Sequence, residues 1–388
     1  MSLTASSRKP SSRRLFLVSS SCANRDVDPL AASGRTQRTE NLLASLKEIA
    51  AEGKFFFGHH DDTVYGVGWV GEEGRSDVLS VCGDYPALLG MDLGGLEMGK
   101  DRNLDGVEGD KLREEIVKHF ERGGVVTLSW HCNNPLSGRH AWVTDETRES
   151  ESHTVEQILA EGQTHETFLV WLDRIARFLK SLKTPDGIRI PVILRPWHEH
   201  TGSWFWWGQN NCTKEQFIAL WQLTVNRLRE KGVVNALYAY STGLEAGGDT
   251  VKFMERYPGD DYIDLLGLDF YCSSPVSEAD ACGQYLAKAH KNIPMLCALA
   301  KEHHKAAAIT ETGYEGIKTA DWWTATLLPA IEQYPLSYVM VWRNAHDKEG
   351  HFYASYPGHP SCDDFVSFYK REKTLFATDL NHLYESLR

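Results

Sequence analysis

Eight short apolar runs punctuate the chain after residue 40, at 55–60, 87–92, 125–130, 192–199, 236–241, 265–271, 306–311 and 338–342. Each is nearly continuous in apolar residues and lacks strict alternation, the pattern of strands buried on both faces. Between them the period changes to that of a helix. Phe168, Leu172, Ile175 and Leu179 keep one face, as do Phe217, Leu220, Thr224 and Leu228 ahead of Lys231-Gly232, a helix end. A further helical stretch at 39–51 carries Leu42, Leu43, Leu46 and Ile49 on one side. Eight strands alternating with amphipathic helices predict an α/β fold, a (β/α)8 TIM barrel, over residues 41–388 with no internal boundary. A doubly wound sheet would place a Gly-rich phosphate loop after its first strand. Here the first strand runs into His59-His60-Asp61-Asp62, and no G-x-G-x-x-G follows.

The first 40 residues read as a separate tail. Arg13-Arg14 precedes the apolar Leu15-Phe16-Leu17-Val18 and then Ser19-Ser20-Ser21-Cys22. This resembles a remnant export signal with Cys22 at a lipid-attachment position, although its apolar stretch is short of the ~7–15 residues of a signal core. A Ser/Arg-rich linker is the plainer reading. The first reading places the protein outside the cytoplasm, whether secreted, periplasmic or lipid-anchored. With Lys+Arg 41 against Asp+Glu 53 the net charge is −12, and no basic stripe exists, which excludes nucleic acid as a partner. No apolar run is long enough to span a membrane. The eight cysteines are scattered without a C-x-x-C pair, so zinc ribbons are excluded. A core of this size needs no disulfide staples, and most of these cysteines read as free buried thiols. The chain is expected to be a monomer.

Chemistry gathers where the strands end. Long polar segments at 93–109, 131–163 and 343–360 follow the second, third and eighth strands, on the face where barrels carry their sites. The strand ends hold His59-His60-Asp61, Asp92, Trp130-His131, Arg195 through His200, Asp269-Phe270-Tyr271, Thr310-Glu311 and Trp342-Arg343. Any one of these reads most simply as a satisfied polar group, but a whole ring of them is costly unless it faces a wet pocket. Glu199 and Glu311, after the fourth and seventh strands, fall on opposite sides of the mouth. Two carboxyl groups across a cleft are what glycosidic cleavage needs, one to protonate the leaving oxygen and one to attack or to activate water. Asp92 and Asp269 also sit at strand ends, so spacing alone does not choose the pair. Directly after Glu199 comes Gly202-Ser203-Trp204-Phe205-Trp206-Trp207-Gly208, which has no helix or strand period. At least one of its rings is expected to meet a sugar face; a buried aromatic cluster is the alternative.

Arg195-Pro196-Trp197-His198-Glu199 with the Trp-rich segment resembles glycoside hydrolase family 26, the β-mannanases of clan A. So do Gly58-His59-His60, Ser129-Trp130-His131, Asp269-Phe270-Tyr271, Thr310-Glu311-Thr312-Gly313 and Val341-Trp342, in order over roughly residues 55–345. The resemblance implies a barrel enzyme cleaving β-1,4-mannosidic bonds in mannans and manno-oligosaccharides by double displacement, with no cofactor and no metal. It implies Glu199 as general acid/base and Glu311 as nucleophile. His131, His198, Trp204, Tyr271 and Trp342 match the lining of the subsite at the cleavage point, Tyr271 being the group that hydrogen-bonds the nucleophile. Arg343 matches a contact to the next sugar. An endo-acting mannanase is the first reading, and a mannobiose-releasing enzyme with one end of its cleft closed by long loops is the alternative. Two other classes are weaker: a metal-dependent hydrolase built on His198, His200, His59, His60 and Asp269, and a carbohydrate-binding barrel without catalysis. The metal reading draws on strand alternation, which would turn His198 and His200 inward and Glu199 away. The binding-only reading suffers from the presence of both glutamates.

Overall fold

A computed structural model describes residues 28–273 and 277–385. Cys22 and the signal-like segment lie outside the described residues. Eight parallel strands close on themselves: β1 (Phe55–His60), β2 (Leu88–Asp92), β3 (Val125–Trp130), β4 (Val192–Pro196), β5 (Ala236–Thr242), β6 (Leu265–Asp269), β7 (Ala306–Thr312) and β8 (Tyr338–Val341). The seam is the β1–β8 pairing, in which Phe56 lies beside Tyr338 and His59 beside Val341. All eight predicted strands are present, and the architecture is a (β/α)8 TIM barrel.

Side chains sort cleanly between two apolar layers. Phe56, Leu88, Val125, Ile193, Leu237, Leu265, Ala306 and Ala308 fill the barrel interior. Their neighbours Phe55, Phe57, Leu89, Val126, Leu194, Leu266, Ala307 and Ile309 pack outward against the helices. Both faces are therefore buried, which is why the strands read as continuous apolar runs. The amphipathic helices Gln163–Ser181 and Lys214–Glu230 bury Phe168, Leu172, Ile175 and Leu179, and Phe217, Leu220, Thr224 and Leu228. The helix Gln37–Ala51 starts two residues earlier than the apolar pattern indicates, because the Thr36 hydroxyl accepts the Thr39 amide as its cap. Its Leu42 and Leu46 join the interior layer, so this helix closes the end of the barrel opposite the site. Arg35 pairs with Asp264 at 2.7 Å, and the Thr36 amide donates to the Val234 carbonyl, so the barrel's own contacts reach back before residue 41.

Two strands fall short of their apolar runs by two residues or more. The run at 192–199 stops pairing at Pro196, and Trp197 and Glu199 then take left-handed backbone at φ 52° and 51°. The run at 265–271 ends at Asp269. Strand β7 carries an irregularity against β6: Leu268 is opposite Ile309, but Asp269 is opposite Glu311. Both departures fall at the mouth, and both aim site residues.

Candidate active site

Strand alternation alone would turn Glu311 outward. Ala306 and Ala308 point into the barrel, and Thr310 follows them to donate to Asp269. The extra residue at the β6–β7 irregularity re-aims Glu311 inward as well, a use of bulges common beside active sites. There Glu311 accepts a close hydrogen bond from Arg195 Nη2 and another from the Tyr271 phenol at 2.7 Å. Arg195 Nη1 donates to Asp269 at 2.9 Å, and Ser241 donates to the same carboxylate at 2.8 Å. Burial, then the charge of Glu311, raises Asp269 to about 7 even with Arg195 beside it.

Glu199 sits in different surroundings. The turn that begins at Trp197 carries it off the strand, and one carboxylate oxygen accepts the Trp204 indole N–H at 2.8 Å. Burial, then the nearby charges of Glu311 and Asp269, push its pKa well above the usual carboxylate range. Gly202 makes this pairing possible, since a Cβ there would lie 2.2 Å from the Trp204 ring.

A third group runs along the neighbouring strands. Asp92 accepts from His131 Nδ1 at 2.7 Å, from Ser129 at 2.7 Å and from the Gly94 amide at 2.6 Å. Burial works to raise Asp92, but His131 and these donors hold it well below the carboxylate range. With Nδ1 donating, His131 Nε2 is free to accept from His198 Nε2 at 3.2 Å. Burial and then Arg195 keep His198 far below the ordinary histidine pKa, so it is a neutral donor in this chain.

The aromatics divide by exposure. Phe205, Trp206 and Trp207 are buried, Trp206 and Trp207 packing around Trp197 and Phe205 stacking on Trp207 while its edge meets His131 and His198, so for them the buried-cluster alternative holds. Trp204 is 38% exposed. Trp142, which the sequence reading passed over, is 36% exposed and stacks on His131 with ring centroids 5.2 Å apart. The only hint in the sequence is a lone Trp inside a long polar segment. Trp342 stacks on His60 at 4.2 Å and approaches His131 edge-on at 6.1 Å. Arg343 donates to the Tyr65 hydroxyl at 3.2 Å and faces Asp105 at 3.4 Å.

The structure thus joins Glu311, Tyr271 and Arg195 in one group, Glu199 and Trp204 in a second, and His131 and His198 in a third. Asp92 and Asp269, which spacing could not separate from the glutamates, are spent on holding His131 and Arg195. Arg195 itself was missed as a site residue. Its signal was present: an arginine inside a buried apolar strand demands carboxylate partners.

The metal-hydrolase arrangement is not what the chain adopts. His198 and His200 diverge because the strand ends before them: His198 faces His131, while the His200 ring lies on Phe217 and Tyr240 at 4.4 and 4.7 Å. Among the described residues, the groupings of three metal-capable side chains are His60, Asp61, Asp105 and the partly exposed Glu73, Glu114, Glu115. Neither contains His198, His200 or Asp269.

Residues 31–315 match the profile of glycosyl hydrolase family 26. The chain belongs to glycosyl hydrolase family 26. Among family 26 proteins of solved structure, a GH26 beta-mannanase from Bacteroides ovatus is 49% identical and superposes with a TM-score of 0.86, covering 91% of this chain and 98% of that one. A modular endo-beta-1,4-mannanase from Cellulomonas fimi is 31% identical with a TM-score of 0.79, over 92% of this chain and 80% of that one. The mannan endo-1,4-beta-mannosidase of Bifidobacterium adolescentis is 32% identical over 369 residues, 90% of this chain. This chain spans 36% of that relative's own length.

Proposed function

We propose that this family 26 chain hydrolyses β-1,4-mannosidic bonds in mannans and manno-oligosaccharides, as an endo-acting enzyme that retains anomeric configuration. The observation that carries the reading is the unlike environment of two carboxyl groups at one barrel mouth. Glu311 accepts hydrogen bonds from a buried arginine and from the Tyr271 phenol. Among the described residues Glu199 has no cationic partner at hydrogen-bond distance, and its environment favours the proton. One carboxylate fit to attack and one acid fit to donate is the pairing double displacement requires.

In the first step Glu311 attacks the anomeric carbon while Glu199 gives its proton to the departing glycosidic oxygen. The bond from carbon to that oxygen breaks as the glycosyl ester forms. Esterification removes the Glu311 charge that helped hold the Glu199 proton, and Glu199 has already given its proton up, so it now serves as base. It takes a proton from water, the water oxygen displaces Glu311, and both carboxyl groups return to their starting states. Tyr271 and Arg195 keep Glu311 oriented. His131, His198, Trp204 and Trp342 line the subsite of the sugar under attack, and Arg343 meets the next sugar. We place the enzyme outside the cytoplasm, acting as a monomer without a cofactor.

One observation favours the mannobiose-releasing variant. Asp105 from the segment after β2, Arg343 from the segment after β8 and Tyr65 from the segment after β1 are tied together at one edge of the mouth. Such a bridge shortens a cleft at that end. Product analysis distinguishes the modes: a ladder of oligosaccharides from mannohexaose and rapid loss of viscosity in galactomannan mark endo action. Mannobiose as the main early product, with galactomannan left largely uncut, would overturn it. NMR of the first-formed anomer tests retention, and an initial α-product from the β-linked substrate would sink the nucleophile assignment. Size-exclusion chromatography tests the monomer.

A further inference from the structure

Cys272 lies three residues beyond the end of β6, and Cys282 lies in the helix Glu278–Glu302. Cys272 directly follows Tyr271, and its amide donates to the Gly313 carbonyl at 2.8 Å, which fixes it beside the end of β7. Cys282 lies in the first turns of the helix between Ala281, which is buried, and Gly283. The two sulfurs are 4.0 Å apart. Cys82, Cys132, Cys212 and Cys362 instead turn their sulfurs toward carbonyl oxygens of Asp84, Asn133, Trp207 and Tyr356. A disulfide's sulfurs lie about 2.05 Å apart, so the two thiols need approach by only about 2 Å to bond.

We propose that Cys272 and Cys282 are a disulfide-forming pair, oxidised by a protein or small-molecule disulfide, and that the bond staples the segment after β6 to its following helix. The chemistry is thiol–disulfide exchange. The half-buried Cys282 enters first: its thiolate attacks the oxidant's disulfide, forming a mixed disulfide and releasing one reduced thiol. Cys272 then attacks the Cys282 sulfur and expels the second. Two S–H bonds are lost, one S–S bond forms, and the two electrons and two protons leave on the oxidant. Once the chain is folded, burial pushes the Cys272 thiol up to about 12, so closure is slow at neutral pH and quickens as pH rises. The bond closes a loop of about ten residues, so the oxidised form should melt about 3 °C above the reduced one.

The test is mass spectrometry of the full chain, purified reduced and then equilibrated with mixtures of oxidised and reduced glutathione at pH 8.5. Oxidation should lower the intact mass by about 2 Da and remove two of the eight titratable thiols. Cleavage after Glu278 cuts between the cysteines, so the two fragments should stay joined until a reductant is added. Cys272→Ser and Cys282→Ser should each abolish the 2 Da loss and the melting shift. Eight free thiols after oxidation would overturn the proposal. So would a linkage joining any other pair, or a lasting adduct of about 305 Da on Cys282, which would mean that Cys272 cannot reach it.

Discussion

The Arg195 guanidinium and the Glu311 carboxylate form an ion pair with 1% and 6% of their side-chain surfaces exposed. Neither partner can be satisfied by water. Asp269 on the other arm of Arg195 completes the arrangement, so one buried cation serves two buried acids. Such a cluster is costly to assemble and is more costly to break, because removing one partner strands the others. What it secures is a Glu311 held in one orientation between Arg195 and Tyr271.

Replacing Arg195 by Met should therefore cost roughly 3–5 kcal/mol of stability near neutral pH. The loss should depend on pH with a definite sign. Asp269 already titrates at about 7 in the folded chain, above the unfolded carboxylate value, and loss of Arg195 raises it further. Above about pH 7 the parent releases this proton and the variant keeps it, so the variant's deficit relative to the parent grows as pH rises from about 7 upward. Thermal melts of both proteins at pH 6 and 8.5 check this. An equal deficit at the two pH values would mean that lost packing, not stranded charge, is responsible.

Glu311→Ala should lower kcat by at least about a thousandfold, since the attacking group is gone. Affinity for a manno-oligosaccharide, measured by calorimetry, should stay within a few fold, because the exposed aromatic rings remain. Activity within about tenfold of the parent would remove Glu311 from the nucleophile role.

Much of this was legible in the sequence, for identifiable reasons. The eight strands announced themselves because both faces of each are buried, leaving runs of apolar residues with no polar interruption. The strand-end position of Glu199 and Glu311 followed from those runs. The aim of each side chain did not. Glu311 faces inward only because of the irregularity between β6 and β7, and Glu199 only because the backbone turns left-handed at Trp197 and again at Glu199 itself. Both features depend on pairing between strands distant in sequence. The same limit explains the histidines: alternation extended past Pro196 turns His198 and His200 the same way, whereas the turn sends one to His131 and the other to Phe217. Asp92 and Asp269 could not be told from catalytic acids until their donors, His131 and Arg195, were placed beside them.

Trp204 and Trp206 give a matched comparison within one segment. Trp204 is 38% exposed and bonded to Glu199, whereas Trp206 is fully buried with its indole N–H on the Cys132 carbonyl. Trp204→Ala should lower kcat/KM by more than about tenfold while the thermal midpoint moves little. Trp206→Ala should do the reverse, costing roughly 3–5 kcal/mol of stability through the cavity it leaves. If Trp204→Ala loses activity only in proportion to its unfolded fraction, the ring is a packing element and the sugar contact fails.

Glu199 should leave the clearest trace, because its function and its cost share one cause. An acid whose folded pKa lies above its unfolded value destabilises the fold as pH rises between the two, since unfolding lets the proton go. Glu199→Gln keeps an oxygen to accept the Trp204 N–H but removes the titration. The variant and the parent should have the same melting temperature near pH 4, and the variant should melt increasingly higher as pH climbs to 8. In activity the order inverts. Glu199→Gln should lose nearly all turnover of mannan yet retain much of the first, glycosylating step on aryl mannosides whose leaving groups need no proton. The alkaline limb of kcat/KM, set in the parent by loss of the Glu199 proton, should flatten on those substrates. A variant that melts no higher than the parent at pH 8, or an alkaline limb that persists without Glu199, would show that the proton resides on another group.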